Sequence, residues 1–127
     1  MIISRKDNII KIRAKEASVE IGLLEIKIDD FVINSPGEYE IKNIFVEAIN
    51  PEICLIMLEN TRICCLNKSK LTDKELEKIG NIDILLADNK DLASEIEPSL
   101  VILKKDIDKI SIKKSDLPKE GTKIWKP

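Results

Sequence analysis

Between residues 10 and 28, apolar and polar side chains change places at almost every step. Ile10 and Ile12 alternate with Lys11 and Arg13, and Ala17, Val19 and Ile21 with Ser18 and Glu20. Leu24, Ile26 and Ile28 then alternate with Glu25 and Lys27. Successive side chains of an extended chain point to opposite faces, so a period of two puts the aliphatics on one side and the charges on the other. A helix would spread the same residues around its whole circumference. The segment therefore reads as strands with one dry face and one wet face. Turns fall at Lys15-Glu16, at Gly22 and at Asp29-Asp30.

The strand pattern continues past this segment. Phe31 to Ile33 is a short strand ended by Asn34-Ser35-Pro36-Gly37, where Pro presets φ and Gly accepts a positive one. Ile44 to Ile49 resumes it, and Asn50-Pro51 turns the chain. Ile53 to Leu58 and Thr61 to Leu66 form a hairpin around Glu59-Asn60. After that the period changes. Thr72-Asp73-Lys74-Glu75 is a capping box, Leu71, Leu76 and Ile79 supply an apolar stripe, and Gly80 is a natural stop. Ile82 to Ala87 is interrupted only by Asp83 and reads as a strand buried on both faces. Asp88 to Ile96 reads as a second short helix with Leu92 and Ile96 on one face, blocked by Pro98. Leu100 to Leu103 is a third core strand. Asp108 to Lys113 and Thr122 to Trp125 read as edge strands around a loop at Ser115 to Pro118 and Gly121. No repeat or linker divides the chain, so residues 1–127 are expected to form a single domain.

Composition narrows the function classes. The 21 Lys and Arg against 23 Asp and Glu, with 3% aromatic residues, give neither a basic excess nor a stacking surface for nucleic acid. No apolar run is long enough to span a membrane, and MIISRKDN lacks the apolar core of a secretory signal, so a cytoplasmic protein is expected. The three cysteines, Cys54, Cys64 and Cys65, do not suggest a disulfide framework. Cys64 and Cys65 are neighbours and must face opposite sides of a strand. They read as small core residues. A reactive thiol would need a positive neighbourhood, which Lys68 and Lys70 are placed to supply.

The chain has no histidine. Ser-His and Cys-His nucleophile pairs are therefore absent, and there is no glycine-rich phosphate loop among only four glycines. Glu38 and Glu40 share a strand face but have the spacing of a solvated surface. Lys104, Lys105 and Asp106 form a cluster that reads more simply as a wet strand end than as a Schiff-base lysine.

Two stretches carry a resemblance. Phe31 to Val46 (FVINSPGEYEIKNIFV) and Thr61 to Val101 (TRICCLNKSKLTDKELEKIGNIDILLADNKDLASEIEPSLV) are similar to segments of small metal-dependent hydrolases of the metallo-β-lactamase fold. The resemblance implies an α/β, β-rich fold: a reduced two-sheet sandwich with about two helices over one outer face. In such hydrolases an H-x-H-x-D-H loop supplies most metal ligands upstream of the PGEYEI turn. Here only GLLEIKIDD separates Ile21 from Phe31, which implies that the loop and its following helix are deleted. Relatives reading like R-I-C-H-L-G-D place a ligand Asp where this chain, in Arg62-Ile63-Cys64-Cys65-Leu66-Asn67-Lys68, has Lys68. Their ligand His in an E-P-K-I-V-I-P-M-H-Y-like strand is matched by Lys105. The turn residues Pro36, Gly37 and Tyr39 are kept as structure.

The resulting expectations are specific. The former-site positions are Cys65, Asn67, Lys68 and Lys105. No catalytic residue, metal ligand or cofactor is expected, and the metal-dependent hydrolase activity is expected to be lost. The leading reading is a pseudoenzyme acting through protein contacts, with no nucleic acid or membrane partner. A homo-oligomer, a two-fold dimer in particular, is expected through apolar sheet surface uncovered by the deletion. One alternative is a small anionic-ligand or nucleotide binding domain that uses Lys68 and Lys105 in the old cleft. Another is a residual hydrolase with an atypical site of carboxylates and Cys65.

Overall fold

The computed structural model describes residues 1–23 and 25–127. Leu24, part of the alternation above, lies outside the described residues. Thirteen strands and two α-helices are present among the described residues. The strands are β1 (Ile2–Lys6), β2 (Ile9–Arg13), β3 (Ser18–Ile21), β4 (Ile26–Ile28), β5 (Phe31–Ile33), β6 (Gly37–Ile41), β7 (Ile44–Asn50), β8 (Ile53–Leu58), β9 (Thr61–Leu66), β10 (Ile84–Ala87), β11 (Leu100–Leu103), β12 (Lys109–Ser111) and β13 (Lys123–Ile124). The helices are α1 (Asp73–Ile79) and α2 (Ala93–Ile96).

The strands form two sheets. One has six antiparallel strands in the order β12-β1-β2-β3-β4-β5. The other has seven, β13-β11-β10-β9-β8-β7-β6, in which β13, β11, β10 and β9 are parallel and the rest antiparallel. The alternating aliphatics of β2, β3 and β4 meet Val46, Ile56, Ile63, Ile84 and Ile102 of the other sheet in an inter-sheet core. The opposite phase of the seven-stranded sheet carries Leu55, Cys64, Leu85 and Val101. These pack with Ile79, Leu92 and Ile96 in a second core on the helix side. β10 is therefore buried on both faces, as its unbroken apolar run demands. No helix among the described residues is long and apolar enough to cross a membrane.

Local signals account for most boundaries. The β8–β9 hairpin turns through Glu59 and Asn60, both at positive φ, as a two-residue turn matched to strand twist requires. Thr72 accepts from the Glu75 amide while Glu75 accepts from the Thr72 amide, so the capping box is fully formed, and Gly80 ends α1 at φ 63°.

Several expectations are corrected. β1 was not anticipated, because only Ile3 of its five residues is buried and so leaves no alternation to read. Residues 37–41 form a strand, with the turn confined to Pro36 and its neighbours. Gly37 sits at φ 151°, and a Cβ there would lie 3.3 Å from the Tyr39 hydroxyl, which donates to the Ser35 carbonyl at 3.0 Å. The second helix begins only at Ala93, because the Asn89 side chain accepts the Asp91 amide in a competing local turn. The outer face of the six-stranded sheet is mixed: it carries Lys11, Arg13, Glu20 and Lys27, the polar phase of the alternation itself, and also the exposed Ile9 and Val32. Among the described residues, exposed large apolar side chains are Ile9, Leu23, Phe31, Val32 and Met57, of which Phe31 and Val32 lie on β5, the edge strand of that sheet.

Candidate functional site at the ends of the parallel strands

β9, β10 and β11 run side by side and end together. The residue that follows each strand, or follows one further position along the same phase, therefore projects from one line. Ile63 and Cys65 point into the inter-sheet core, and Asn67 continues their phase. Ile84 and Leu86 do the same for Asp88, and Leu100 and Ile102 for Lys104. From the other sheet, Arg5, Asp7 and Asn8 at the β1–β2 turn, and Ile21 to Leu23 after β3, close a cleft of about 220 Å³ around Cys65, Asn67, Asp88 and Lys104.

Lys104 occupies the centre. Its ammonium donates to the Leu66 carbonyl at 2.6 Å and to the Asn67 side-chain oxygen, and it lies 3.8 Å from Asp88 Oδ1. Only 12% of the Lys104 side chain is exposed, against 72% for Asp88, so its two oxygen acceptors rather than the wet carboxylate are its main partners. Arg5 donates to the Lys104 carbonyl at 2.8 Å, tying the two sheets together at the same place.

The sequence-derived positions divide. Cys65 and Asn67 reach the cleft. Lys68 and Lys105 do not, so the two lysines expected to converge are apart. Lys68, in the opposite phase to Asn67, turns to the helix side and donates to both carboxylate oxygens of Glu75 at 3.0 Å. There it lines a wider groove of about 640 Å³ with Ser69, Lys70 and Asn89. Lys105 is exposed on a 3₁₀ turn at Lys104–Asp106. The residue at the strand end is Lys104, one position earlier, because its phase matches Leu100 and Ile102. Asp88 was missed altogether, although the same count of two from Leu86 reaches it.

Glu75 is the most strongly shifted group outside the core. The Thr72 amide and the Lys68 ammonium, with a further bond from Asn50 Nδ2 at 3.1 Å, bring its carboxyl down to about 2. The thiols move the other way. Cys54 and Cys65 face the inter-sheet core and Cys64 the helix side, so the neighbours do take opposite faces. Burial pushes all three thiols above their ordinary range. At Cys65 the nearby charge of Lys104 offsets burial in part, so the positive neighbour is Lys104 rather than Lys68 or Lys70.

The cleft residues do not fit a zinc ion. The cleft is lined by one buried thiol, the carboxylates of Asp7 and Asp88 and the amides of Asn8 and Asn67, together with the cations Arg5 and Lys104; the chain has no imidazole, and no three His, Cys, Asp or Glu side chains are grouped to hold a metal among the described residues. Glu38 and Glu40 are exposed on β6, away from the cleft. Pro36 lies beside the sheet-to-sheet turn, and Tyr39 packs half-buried against Phe31 with ring centroids 6.2 Å apart.

No protein-family model matches the chain, and no curated protein matches it. Among solved structures it is similar to a Thermotoga maritima protein described as a zinc-dependent hydrolase of the metallo-β-lactamase superfamily. The identity is 20% and the TM-score 0.47, over 56% of this chain. The chain spans 46% of that structure's length.

Proposed function

We propose that the chain is a non-catalytic member of the metallo-β-lactamase superfamily that acts through protein contacts. The sequence resemblance at Phe31 to Val46 and Thr61 to Val101 supports the family. The two-sheet architecture with helices over one face is the arrangement that resemblance implies. The observation that carries the loss of catalysis is Lys104. Its ammonium is seated on the Leu66 carbonyl and the Asn67 amide at the end of the parallel strands. A cation bound there repels a metal ion. The anionic-ligand alternative loses the lysine pair on which it depended, since Lys68 is held by Glu75 and Lys105 is in solvent.

The test is a panel of phosphodiester, lactone and thioester substrates with added zinc or manganese. No turnover above the protein-free rate is expected. Metal-stimulated hydrolysis that disappears in a cleft variant overturns the proposal. Self-association belongs to the same reading. β5 pairs only with β4, and its Phe31 and Val32 are 47% and 41% exposed, so this edge lacks the charges that usually guard one. Light scattering is expected to show a dimer that Val32→Lys dissolves. A strict monomer removes this part of the reading.

A further inference from the structure

We infer that the outer face of the six-stranded sheet docks an acidic segment of another protein. This rests on the protein-contact reading above and names the surface and the partner's chemistry. The register fixes the composition of the face. The inner phase is Ile3, Ile10, Ile12, Val19, Ile21, Ile28 and Ile110, all in the inter-sheet core. The outer phase therefore presents Lys109, Lys6, Lys11, Arg13 and Lys27, with Glu20 the single acid among them and the apolar Ile2, Ile9 and Val32 interspersed. Cross-strand pairing places Glu20 between Lys11 and Lys27, and it forms an ion pair with neither. None of the five cations is in an ion pair among the described residues. This excess sits on a chain whose formal net charge is -2.

The surroundings select the class of partner. Acids stand in the turns at the ends of these strands: Asp7 after β1, Glu16 after β2, Glu25 before β4 and Asp30 after β4, while Asp29 beside it is paired with Lys42. The basic field is thus bounded along the strands, over roughly 15 Å for strands of this length. A nucleic-acid duplex or a lipid surface extends past such a field and meets the acidic rims. The face also offers no aromatic side chain to stack a base. A short acidic helix or strand fits between the rims, and its carboxylates meet Lys11, Arg13, Lys27 and Lys109 without facing the turns. Complementary charge of this kind sets partner choice and encounter rate more than affinity, so the contact is salt-sensitive.

The experiment uses the full chain and a fluorescein-labelled oligoglutamate peptide, with anisotropy read across a salt series. Wild type is expected to bind at low ionic strength. Lys11→Glu with Lys27→Glu is expected to weaken binding at least tenfold. Lys74→Glu with Lys90→Glu, the same charge change outside this face, is expected to leave the salt dependence in place and weaken binding far less. Equal losses in the two variants overturn the surface, as does an absence of peptide binding at low ionic strength. Mixed-sequence duplex DNA or phosphatidylserine vesicles bound more tightly than the peptide overturn the partner class. The hydrolase panel on the same preparations separates the two claims: hydrolysis defeats the non-catalytic reading, whereas lost peptide binding without hydrolysis defeats only this surface.

Discussion

The two sheets solve the same burial problem differently. In the six-stranded sheet only one face is covered, and its strands alternate strictly: β2 is exposed and buried by turns along its five residues. In the seven-stranded sheet the helices cover part of the second face, and β10 is buried at all four positions. An uncovered face can therefore be read directly from a charged phase in the sequence. Lys11, Arg13, Glu20 and Lys27 already make the face compatible with water.

The largest expected effects test this contrast. Leu85→Ala and Leu86→Ala are adjacent, yet each is expected to cost about 2–5 kcal/mol in urea unfolding, because they enter two different cores. In β2, Ile12→Ala is expected to cost a similar amount, while its neighbour Lys11→Ala stays within about 0.5 kcal/mol. A large loss at Lys11 would break the distinction between the sheets.

A smaller effect sharpens the strand-end site. Lys104→Met leaves the Leu66 carbonyl and Asn67 oxygen without their donor and is expected to cost about 1–3 kcal/mol. Lys105→Met is expected to be neutral within about 0.5 kcal/mol, since its side chain is in solvent. Equal costs would mean that the phase assignment along β11 is wrong.

At α1, Thr72→Ala removes the cap and is expected to cost about 1 kcal/mol. The pH dependence follows from Glu75. Its folded carboxyl, at about 2, lies below that of an unfolded glutamate, so its contribution is present above the unfolded range and is lost as pH falls toward 2. Unfolding of Glu75→Gln is expected to be less sensitive to pH in that window. Last, the three thiols are expected to react with a disulfide reagent only after denaturation, because burial keeps them protonated and enclosed. A thiol that titrates in the folded protein would show that one of the two cores opens.

Much of the site was legible without being read. Cys64 and Cys65 were assigned to opposite faces, correctly, by the alternation of a strand. The same count of two, carried past the strand ends, selects Asn67 over Lys68 and Lys104 over Lys105. Alignment of motifs instead selected Lys68 and Lys105, because it follows position along the chain rather than the direction of a side chain. The missing helical turn before Ala93 was harder to read, since the Asn89 turn competes with a helix by a single local hydrogen bond.

By itself, the sequence determined the period-two strands, the hairpin at Glu59-Asn60, the capped helix at Thr72, and a chain with no imidazole for metal or proton chemistry. These are local matters of backbone geometry and side-chain type. Only the tertiary structure decided that Asn67, Asp88 and Lys104 share one cleft. They are far apart in the chain, and nothing local sets their distance. The parallel pairing of β9, β10 and β11 brings their ends together, and the inter-sheet core fixes which way each side chain faces.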